Sequence, residues 1–508
     1  MQVVVPMSGS GRRFLDAGYK DPKPLLDVAG RPAIARLLER FPKDWRFVFI
    51  CSNDHLRDTR LREVLLECVP DAVIRGIAPH KKGPVYAVLQ AADAVDDDLP
   101  TIVNYCDFSF AWDPAGFVDF TEQTACDGAV FCYRGFQPHY LGDTMYAYCR
   151  EEGGKILEIR EKECFTDDRT REYASSGSYY FASGRLVKKY FQQTVDEDLN
   201  LNGEYYVSLV YNPLIGAGLT ARVYEIPFFL QWGTPEDLAD YLYWHRAFAR
   251  LASWRPPVKA GGARLIMPMA GLGSRFGAEY PPKPLIPVEG KPMFLTARDY
   301  LPGGGAAPVL VLRRELEEGV RRAAPEAKLV VLDAPTDGQA VTTERALADV
   351  KPDEPVLVSA CDHGLIWDAA RWKAVVAGAP DIIVVGQRGY PGARRKPQSF
   401  AYILADDEGR VTGVSVKVPV SAAPQRDLVL VGTFYFKSAA LLAELIAELK
   451  QKDLRVNGEL YLDSVVGLAV ERGLDVRCFE SDFYLNWGSP EQLKVYEYWR
   501  DYFTGGSA

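Results

Sequence analysis

Histidine is scarce in this 508-residue chain: five residues, with no His-x-x-His spacing and no Ser/His/Asp pattern. That scarcity removes the support for zinc chemistry and for histidine-based acid–base or nucleophilic catalysis. No Cys-x-x-Cys pair occurs among the nine cysteines. Their scatter and odd number argue against a disulfide framework and for reduced thiols, so a cytoplasmic setting is expected. No apolar run approaches the roughly 18 residues of a membrane helix. The chain opens on a strand-like run rather than on an export signal, so membrane insertion is not expected. Positive charge is not in excess either. A net charge of −9 disfavours a broad surface for nucleic acid or anionic lipid, but leaves room for local basic pockets that take small phosphorylated ligands.

What is present is present twice. Pro6-Met7-Ser8-Gly9-Ser10-Gly11-Arg12-Arg13-Phe14, followed by Pro22-Lys23-Pro24-Leu25, returns as Pro268-Met269-Ala270-Gly271-Leu272-Gly273-Ser274-Arg275-Phe276, followed by Pro282-Lys283-Pro284-Leu285. Each follows an apolar run, Val3 to Val5 and Leu265 to Met267, that reads as a buried strand. Further on, five motifs keep a single offset of 255 residues. Asp107 matches Asp362, Lys162 matches Lys417, and Gly177 matches Gly432. Asn202-Gly203-Glu204 matches Asn457-Gly458-Glu459, and Trp232-Gly233 matches Trp487-Gly488. Chance would not hold one offset through five motifs, so the chain reads as a tandem duplication whose period is a whole domain. The expected domains are 1–254 and 263–508. Between them lies the Pro/Gly-rich connector 255–262, and 503–508 reads as a loose tail.

Within each half, short apolar strands alternate with amphipathic helices. In the first, Phe47 to Cys51 and Thr101 to Tyr105 read as strands, Leu56 to Cys68 and Val85 to Ala94 as helices. In the second, Val309 to Leu312, Leu329 to Leu332 and Val356 to Ala360 read as strands, Leu316 to Ala323 and Ala340 to Ala348 as helices. This alternation predicts α/β domains with a mainly parallel central sheet flanked by helices, and ligands beyond the carboxyl ends of the strands. The glycine loops, Asp107 and Asp362 all fall at such ends, so one cleft per domain is expected.

A strand that runs into a glycine-rich turn with basic residues beyond it can cradle phosphates through backbone amides. The dinucleotide fingerprint is missing its third glycine, since Phe14 and Phe276 stand there. The P-loop would require Gly-Lys-Ser/Thr, which neither copy has. A plain strand-to-helix turn is the bland alternative for one loop, and the recurrence with Arg and Pro-Lys-Pro speaks against it. Taken together, Gly-x-Gly-x-Arg-Phe and Pro-Lys-Pro-Leu resemble the signature of the sugar-1-phosphate nucleotidyltransferase family, the enzymes that make NDP-sugars. The resemblance covers nearly the whole chain, once per half.

The resemblance implies two tandem Rossmann-like domains of the GT-A type. It also implies the roles of residues. Ser8, Gly9 and Gly11, with Ala270, Gly271 and Gly273, would line the nucleotide, and Arg13, Lys23, Arg275 and Lys283 would act on its triphosphate. Asp107 and Asp362 would bind Mg²⁺, the bland alternative being helix N-cap or turn aspartates. Glu161-Lys162 would meet the sugar phosphate with Gly177; the second copy has Lys417 and Gly432, but Val416 in place of the acid. Gly338-Gln339 would contact the base. The first half has Gly83-Pro84 there, and proline removes a donor, so the two nucleotides need not be the same. The family commonly has a second metal-binding Asp before the Gly-Thr-Pro turn; Gln231 and Asn486 stand at that position. Glu204 and Glu459 could supply the missing charge or touch the sugar phosphate; the bland alternative, which the helix dipole favours slightly, is an acid at a helix start. Trp232 and Trp487 read as core aromatics.

The expected reaction is NTP plus sugar 1-phosphate giving NDP-sugar and pyrophosphate, with Mg²⁺, for surface polysaccharide synthesis. Two rivals stay open. One is transfer to another phosphomonoester such as phosphocholine, for which Tyr179, Tyr180, Tyr205 and Tyr206 would form a cage. The other is a half that only binds nucleotide. A homo-oligomer is left open too.

Overall fold

The structure, a computed structural model, describes residues 1–142, 145–255, 262–303 and 307–505. Residues 256–261 of the expected connector and 506–508 of the expected tail therefore lie outside the described residues. The chain divides into two compact units, Met1–His245 with Asp501–Ala508, and Arg246–Arg500.

The first unit is built on a nine-stranded mixed sheet. Its parallel part runs Val73–Ile77, Arg46–Ser52, Gln2–Met7, Thr101–Asn104. Strand Tyr173–Phe181 then runs antiparallel to Thr101–Asn104 and to Gly128–Tyr133, and Ala221–Glu225 lies parallel to the latter. The hairpin Ala147–Glu152 and Lys155–Glu161 completes the sheet. The continuous apolar runs are explained by burial on both faces. Val3, Val5 and Met7 enter one hydrophobic layer together with Phe47 and Phe49, while Val4 enters the other with Val48 and Ile50.

The second unit repeats the plan. Lys328–Leu332, Val309–Arg313, Arg264–Pro268 and Val356–Ser359 are parallel. Val429–Phe436 is antiparallel to Val356–Ser359 and to Ile382–Gln387, and Val476–Glu480 pairs with the latter in parallel. Ala401–Ala405 and Val411–Val416 form the hairpin. Helices Ala439–Gln451 and Leu462–Glu471 cover one face through Leu442, Leu445, Leu449, Val465 and Val466. Trp232 and Trp487 are both buried at their turns.

Two expected elements differ in detail. The helix expected over Leu56 to Cys68 is two helices, Asn53–Asp58 and Leu61–Cys68. Thr59 breaks it: its backbone is extended, its hydroxyl donates to the His55 carbonyl, and the same oxygen accepts from Leu61 N. The helix expected over Val85 to Ala94 is Gly83–Leu89 followed by a 3₁₀ turn, Ala92–Ala94.

Candidate functional site

The glycine loop leaves the carboxyl end of Gln2–Met7. Gly11 adopts a left-handed φ of 63° and Gly273 one of 64°. Beneath each loop passes the lysine of Pro-Lys-Pro: a Cβ on Gly11 would lie 3.4 Å from Lys23 Cγ, and one on Gly273 3.0 Å from Lys283 Cβ. Glycine is therefore favoured by conformation at both positions, and at Gly273 by space as well. A short helix, Arg12–Asp16, follows the first loop, whereas the second continues in turns.

Each lysine reaches the aspartate at the end of the neighbouring strand. Lys23 Nζ donates to Asp107 Oδ2 at 2.8 Å, and Lys283 Nζ to Asp362 Oδ2 at 2.5 Å. Burial works against the Lys23 ammonium, but the attraction of Asp107 wins and its pKa is raised. Burial likewise opposes ionisation of Asp362, and Lys283 with His363 more than reverses it, holding the carboxyl well below the usual range. Neither aspartate is a helix N-cap. The caps are Asp113 and Asp368, whose side chains accept from Ala115 N and Arg371 N. Instead the main chain of each site aspartate is pinned by the returning turn, Trp232 N to Asp107 O and Trp487 N to Asp362 O. That turn comes close: a Cβ on Gly233 or Gly488 would lie 3.1 Å from the carboxylate Oδ2.

Lys162 and Lys417 both hold positive φ, 58° and 63°, a conformation that non-glycine residues rarely adopt. Lys162 Nζ lies 4.7 Å from the centre of the Tyr206 ring and donates to its hydroxyl at 2.8 Å. Lys417 Nζ lies 5.7 Å from the Tyr461 ring and donates to Ser399 O. The tyrosines follow the Asn-Gly turns, in which Asn202 and Gly203, like Asn457 and Gly458, have positive φ, the signature of a two-residue tight turn. Leu201 bridges to Glu204 and Val456 to Glu459 across those turns. Glu204 and Glu459 are thus turn residues, not helix-start acids; the helical segments begin at Val207 and Leu462. Tyr206 donates to Glu204 Oε2 at 2.5 Å.

The loop assigned to the base is clamped to this segment in both copies. Val85 N donates to Tyr205 O and Tyr205 N to Lys82 O; Ala340 N donates to Leu460 O and Leu460 N to Asp337 O. Backbones approach so closely that a Cβ on Gly83 would lie 2.8 Å from the Tyr205 main chain, and one on Gly338 2.6 Å from that of Leu460. Gln339 opens the helix Gln339–Leu347, where the first copy has Pro84.

In the first unit these parts enclose one cavity of about 730 Å³. Ser8, Gly9, Gly11, Arg13, Lys23, Gly83, Asp107, Glu161, Lys162, Gly177 and Glu204 all line it, so every first-copy candidate is brought together. Gly177 sits in a β-bulge of its strand, and its carbonyl accepts from Tyr105 N; Gly432 O accepts from Ala360 N in the second copy. In the second unit Ala270 and Gly271 follow Arg264–Pro268, and Arg275, Lys417, Glu459 and Tyr461 act on one another electrostatically. Burial lowers the pKa of Lys417 there, partly opposed by Asp463.

Several lining residues were not singled out from the sequence. His80 lies 3.4 Å from Ser8 Oγ through Nε2, and Tyr105 and Tyr146 line the cavity. Ser208 donates to Glu161 at 2.5 Å. His363, beside Asp362, is fully buried, with Nε2 2.9 Å from Thr433 Oγ1. A lone His, Tyr or Ser carries no motif, and none of these recurs at the 255-residue offset, where Pro335, Ala360, Ala401, Asp463 and Phe108 stand. Of the four tyrosines proposed as a cage, Tyr179 and Tyr206 line the cavity. Tyr180 belongs to the core layer, and Tyr205 bonds Asp198. Gln231 lines the cavity, whereas the side-chain oxygen of Asn486 accepts from Gly488 N at 2.9 Å and is spent on holding the turn.

All nine cysteines are free, and no described helix is long and apolar enough to cross a membrane. The sequence matches the MobA-like NTP transferase domain over residues 3–166 and again over 266–393. It is 28% identical over 212 residues to the bifunctional protein GlmU of Cupriavidus taiwanensis, a match that takes in 41% of this chain and 43% of that protein. With GlmU of Ralstonia nicotianae it shares 27% over 230 residues, 43% of this chain and 45% of that one. The chain thus spans less than half the length of these curated relatives. Among solved structures it is similar to a nucleoside-diphosphate-sugar pyrophosphorylase from Vibrio cholerae, with 22% identity, a TM-score of 0.40, and coverage of 47% of this chain and 99% of that one. It is also similar to the inositol-1-phosphate CTP transferase from T. maritima, with 18% identity, a TM-score of 0.37, and coverage of 49% and 100%.

Proposed function

This chain belongs to the MobA-like NTP transferase domain family, in two copies, and on that premise we propose that each copy transfers the nucleotidyl group of an NTP to a sugar 1-phosphate. The observation that carries the reading is the convergence of the glycine loop, Arg13, Lys23, Asp107 and Lys162 on one cavity. Amides and cations that could hold two phosphorylated molecules line the same cavity.

In this reading the amides of the Ser8–Gly11 loop and Arg13 hold the triphosphate. The incoming phosphate draws Lys23 partly away from Asp107. Lys162 holds the acceptor phosphate, and Glu161 and Glu204 accept hydrogen bonds from its hydroxyl groups. An acceptor phosphate oxygen attacks the α-phosphorus; the new P–O bond forms as the bond to the leaving pyrophosphate breaks. The nucleophile is already ionised near neutrality, so no general base is required. Positioning can supply about 7–11 kcal/mol of the barrier, and a well-placed donor about 3–4 kcal/mol. The second copy would use Arg275, Lys283, Asp362 and Lys417 in the same way.

Nucleotidyltransferases of this family generally work with a divalent metal, and the donors present fit one. One aspartate per copy stands at the strand end beside the glycine loop's lysine, Asp107 and Asp362, and among the described residues there is no cluster of three or more His, Cys, Asp or Glu that could hold a metal ion. That suits an ion such as Mg²⁺, which takes one or two carboxylates plus substrate phosphates. Asp107 or Asp362 would hold it, and when bound it would offset phosphate charge. The setting we assign, by family analogy, is cytoplasmic supply of activated sugars for a surface polysaccharide. A cationic acceptor such as phosphocholine is the weaker reading, because the Tyr206 face is already taken by the ammonium of Lys162.

The test is pyrophosphate release over the four NTPs crossed with sugar 1-phosphates and phosphocholine. Release with at least one sugar 1-phosphate is expected, and Asp107→Asn and Asp362→Asn are each expected to remove part of it. Nucleotide-dependent thermal stabilisation without any release would leave a binding protein only.

A further inference from the structure

The acid that the second copy lacks on its strand stands on the opposite wall. In the first copy Glu161 ends the strand Lys155–Glu161 and accepts a 2.5 Å hydrogen bond from the Ser208 hydroxyl. The corresponding positions, 255 residues on, hold Val416 and Asp463. The surroundings correspond as well: each lysine has a left-handed backbone, and each lies over a tyrosine that is coupled to a glutamate. Since the side chains at 161 and 208 meet, those at 416 and 463 are placed to do the same. An aspartate Cγ takes the place of a serine Oγ, and its oxygens reach about 1.2 Å further. That extension leads toward the spot held by the Glu161 carboxylate in the first copy.

Asp463 lies in the first turn of the helix Leu462–Glu471, where an acid could merely complement the helix dipole. Such an acid would be solvated and favoured in its charged form. Asp463 is half-buried, and burial pushes its pKa up to about 6, against the attraction of Lys417. Among the described residues no other residue donates a hydrogen bond to its carboxylate. The remaining acceptor capacity of a half-buried carboxylate calls for a donor.

We propose that Asp463 reads the hydroxyl groups of the acceptor in the second copy, supplying from the helix the carboxylate that Glu161 supplies from the strand in the first. The inference rests on the sugar 1-phosphate reading above. The ligand it implies carries hydroxyl donors beside a phosphate held by Lys417. Val416 makes the facing wall apolar, so the second copy takes an acceptor of different shape from the first.

The test uses the full chain with Asp107→Asn, which silences the first copy, and follows pyrophosphate release over the four NTPs and a panel of sugar 1-phosphates. With the best pair, adding Asp463→Asn is expected to raise KM for the sugar phosphate about tenfold or more, the loss of a hydrogen bond to a charged group. KM for the NTP should stay within about twofold, the split that tells acceptor binding from a general structural defect. Asp463→Ser with Val416→Glu transplants the first copy's arrangement and is expected to recover most of the loss, which a merely structural aspartate would not allow. An unchanged acceptor KM, equal shifts in both KM values, or no recovery in the transplant overturns the inference. No release from the Asp107→Asn chain, before Asp463 is touched, overturns the two-site reading instead. Nucleotide-induced thermal stabilisation of each variant verifies that it is folded.

Discussion

Lys23 pairs with Asp107 in the first copy and Lys283 with Asp362 in the second, yet the residue after the aspartate is Phe108 in one and His363 in the other. The same contrast runs through both sites. The glycine loop, the lysine beneath it, the aspartate and the lysine with positive φ are held in common. Glu161 with Ser208 becomes Val416 with Asp463, and Pro84 becomes Gln339. Neutralising a triphosphate needs cations and amides in a narrow geometry, which leaves little freedom. Recognising a base or a sugar needs only some donor or acceptor within reach, and several elements can provide it. On the proposed roles, the groups kept in both copies are those that would meet phosphate, and those that differ would meet the base and the acceptor.

The largest effects should come from the shared groups. Lys23→Ala and Lys283→Ala are each expected to cut the turnover of their own copy by about 10²–10³, and the double variant to abolish pyrophosphate release. Unequal losses with every substrate pair would show that the copies are not equivalent there. Next come the clamped loops. Gly338→Ala forces a Cβ to 2.6 Å from the Leu460 main chain at a φ of 126°, and is expected to cost about 2–3 kcal/mol, read as a lower Tm. Gly83→Ala should behave alike; an effect in only one copy would break the correspondence.

A third prediction concerns pH. The native pKa of Asp463, about 6, lies above its ordinary value, because burial outweighs Lys417, and Glu459, Tyr461 and Arg275 face the same neighbourhood. The native state therefore holds the proton more tightly than the unfolded one, and stability falls as pH rises from about 4 to about 6. Asp463→Asn removes this penalty. It should melt higher than the unaltered chain at pH 7, by about 1–3 kcal/mol, with the advantage shrinking toward pH 4. A stabilising effect at neutral pH combined with weaker acceptor binding would mark Asp463 as kept for function. The smallest effects should come from the helix caps: Asp113→Ala and Asp368→Ala are each expected to lose about 1 kcal/mol in denaturant unfolding, without change in either KM. That separates the capping aspartates from the site aspartates six residues earlier.

The two loops, both lysines, both aspartates and the tandem plan were legible from spacing and repetition, because each depends on residue types that the local chain demands. Glycine at positive φ, Asn-Gly in a tight turn and apolar runs in two-sided strands are local requirements, and local requirements leave marks in sequence. The acid at 463 was not legible. Read along the chain it is one more residue at a helix start, and Val416 alone suggested a lost contact. The bland alternative for Glu204 and Glu459, acids at a helix start, fails for a related reason: a helical segment begins three residues after each, and only the bridges Leu201–Glu204 and Val456–Glu459 show that the chain turns first.

By itself, then, the order of residues determined that two α/β units exist, where their glycine-rich turns lie and which cations follow them in the chain. Only the tertiary structure decided that Glu161 meets Ser208, that the loops at Gly83 and Gly338 are clamped to the segments of Tyr205 and Leu460, and that Lys23 and Lys283 are held by the aspartates. Those facts are contacts between elements far apart in the chain. Their geometry follows from how strands and helices pack, which no stretch of sequence encodes alone.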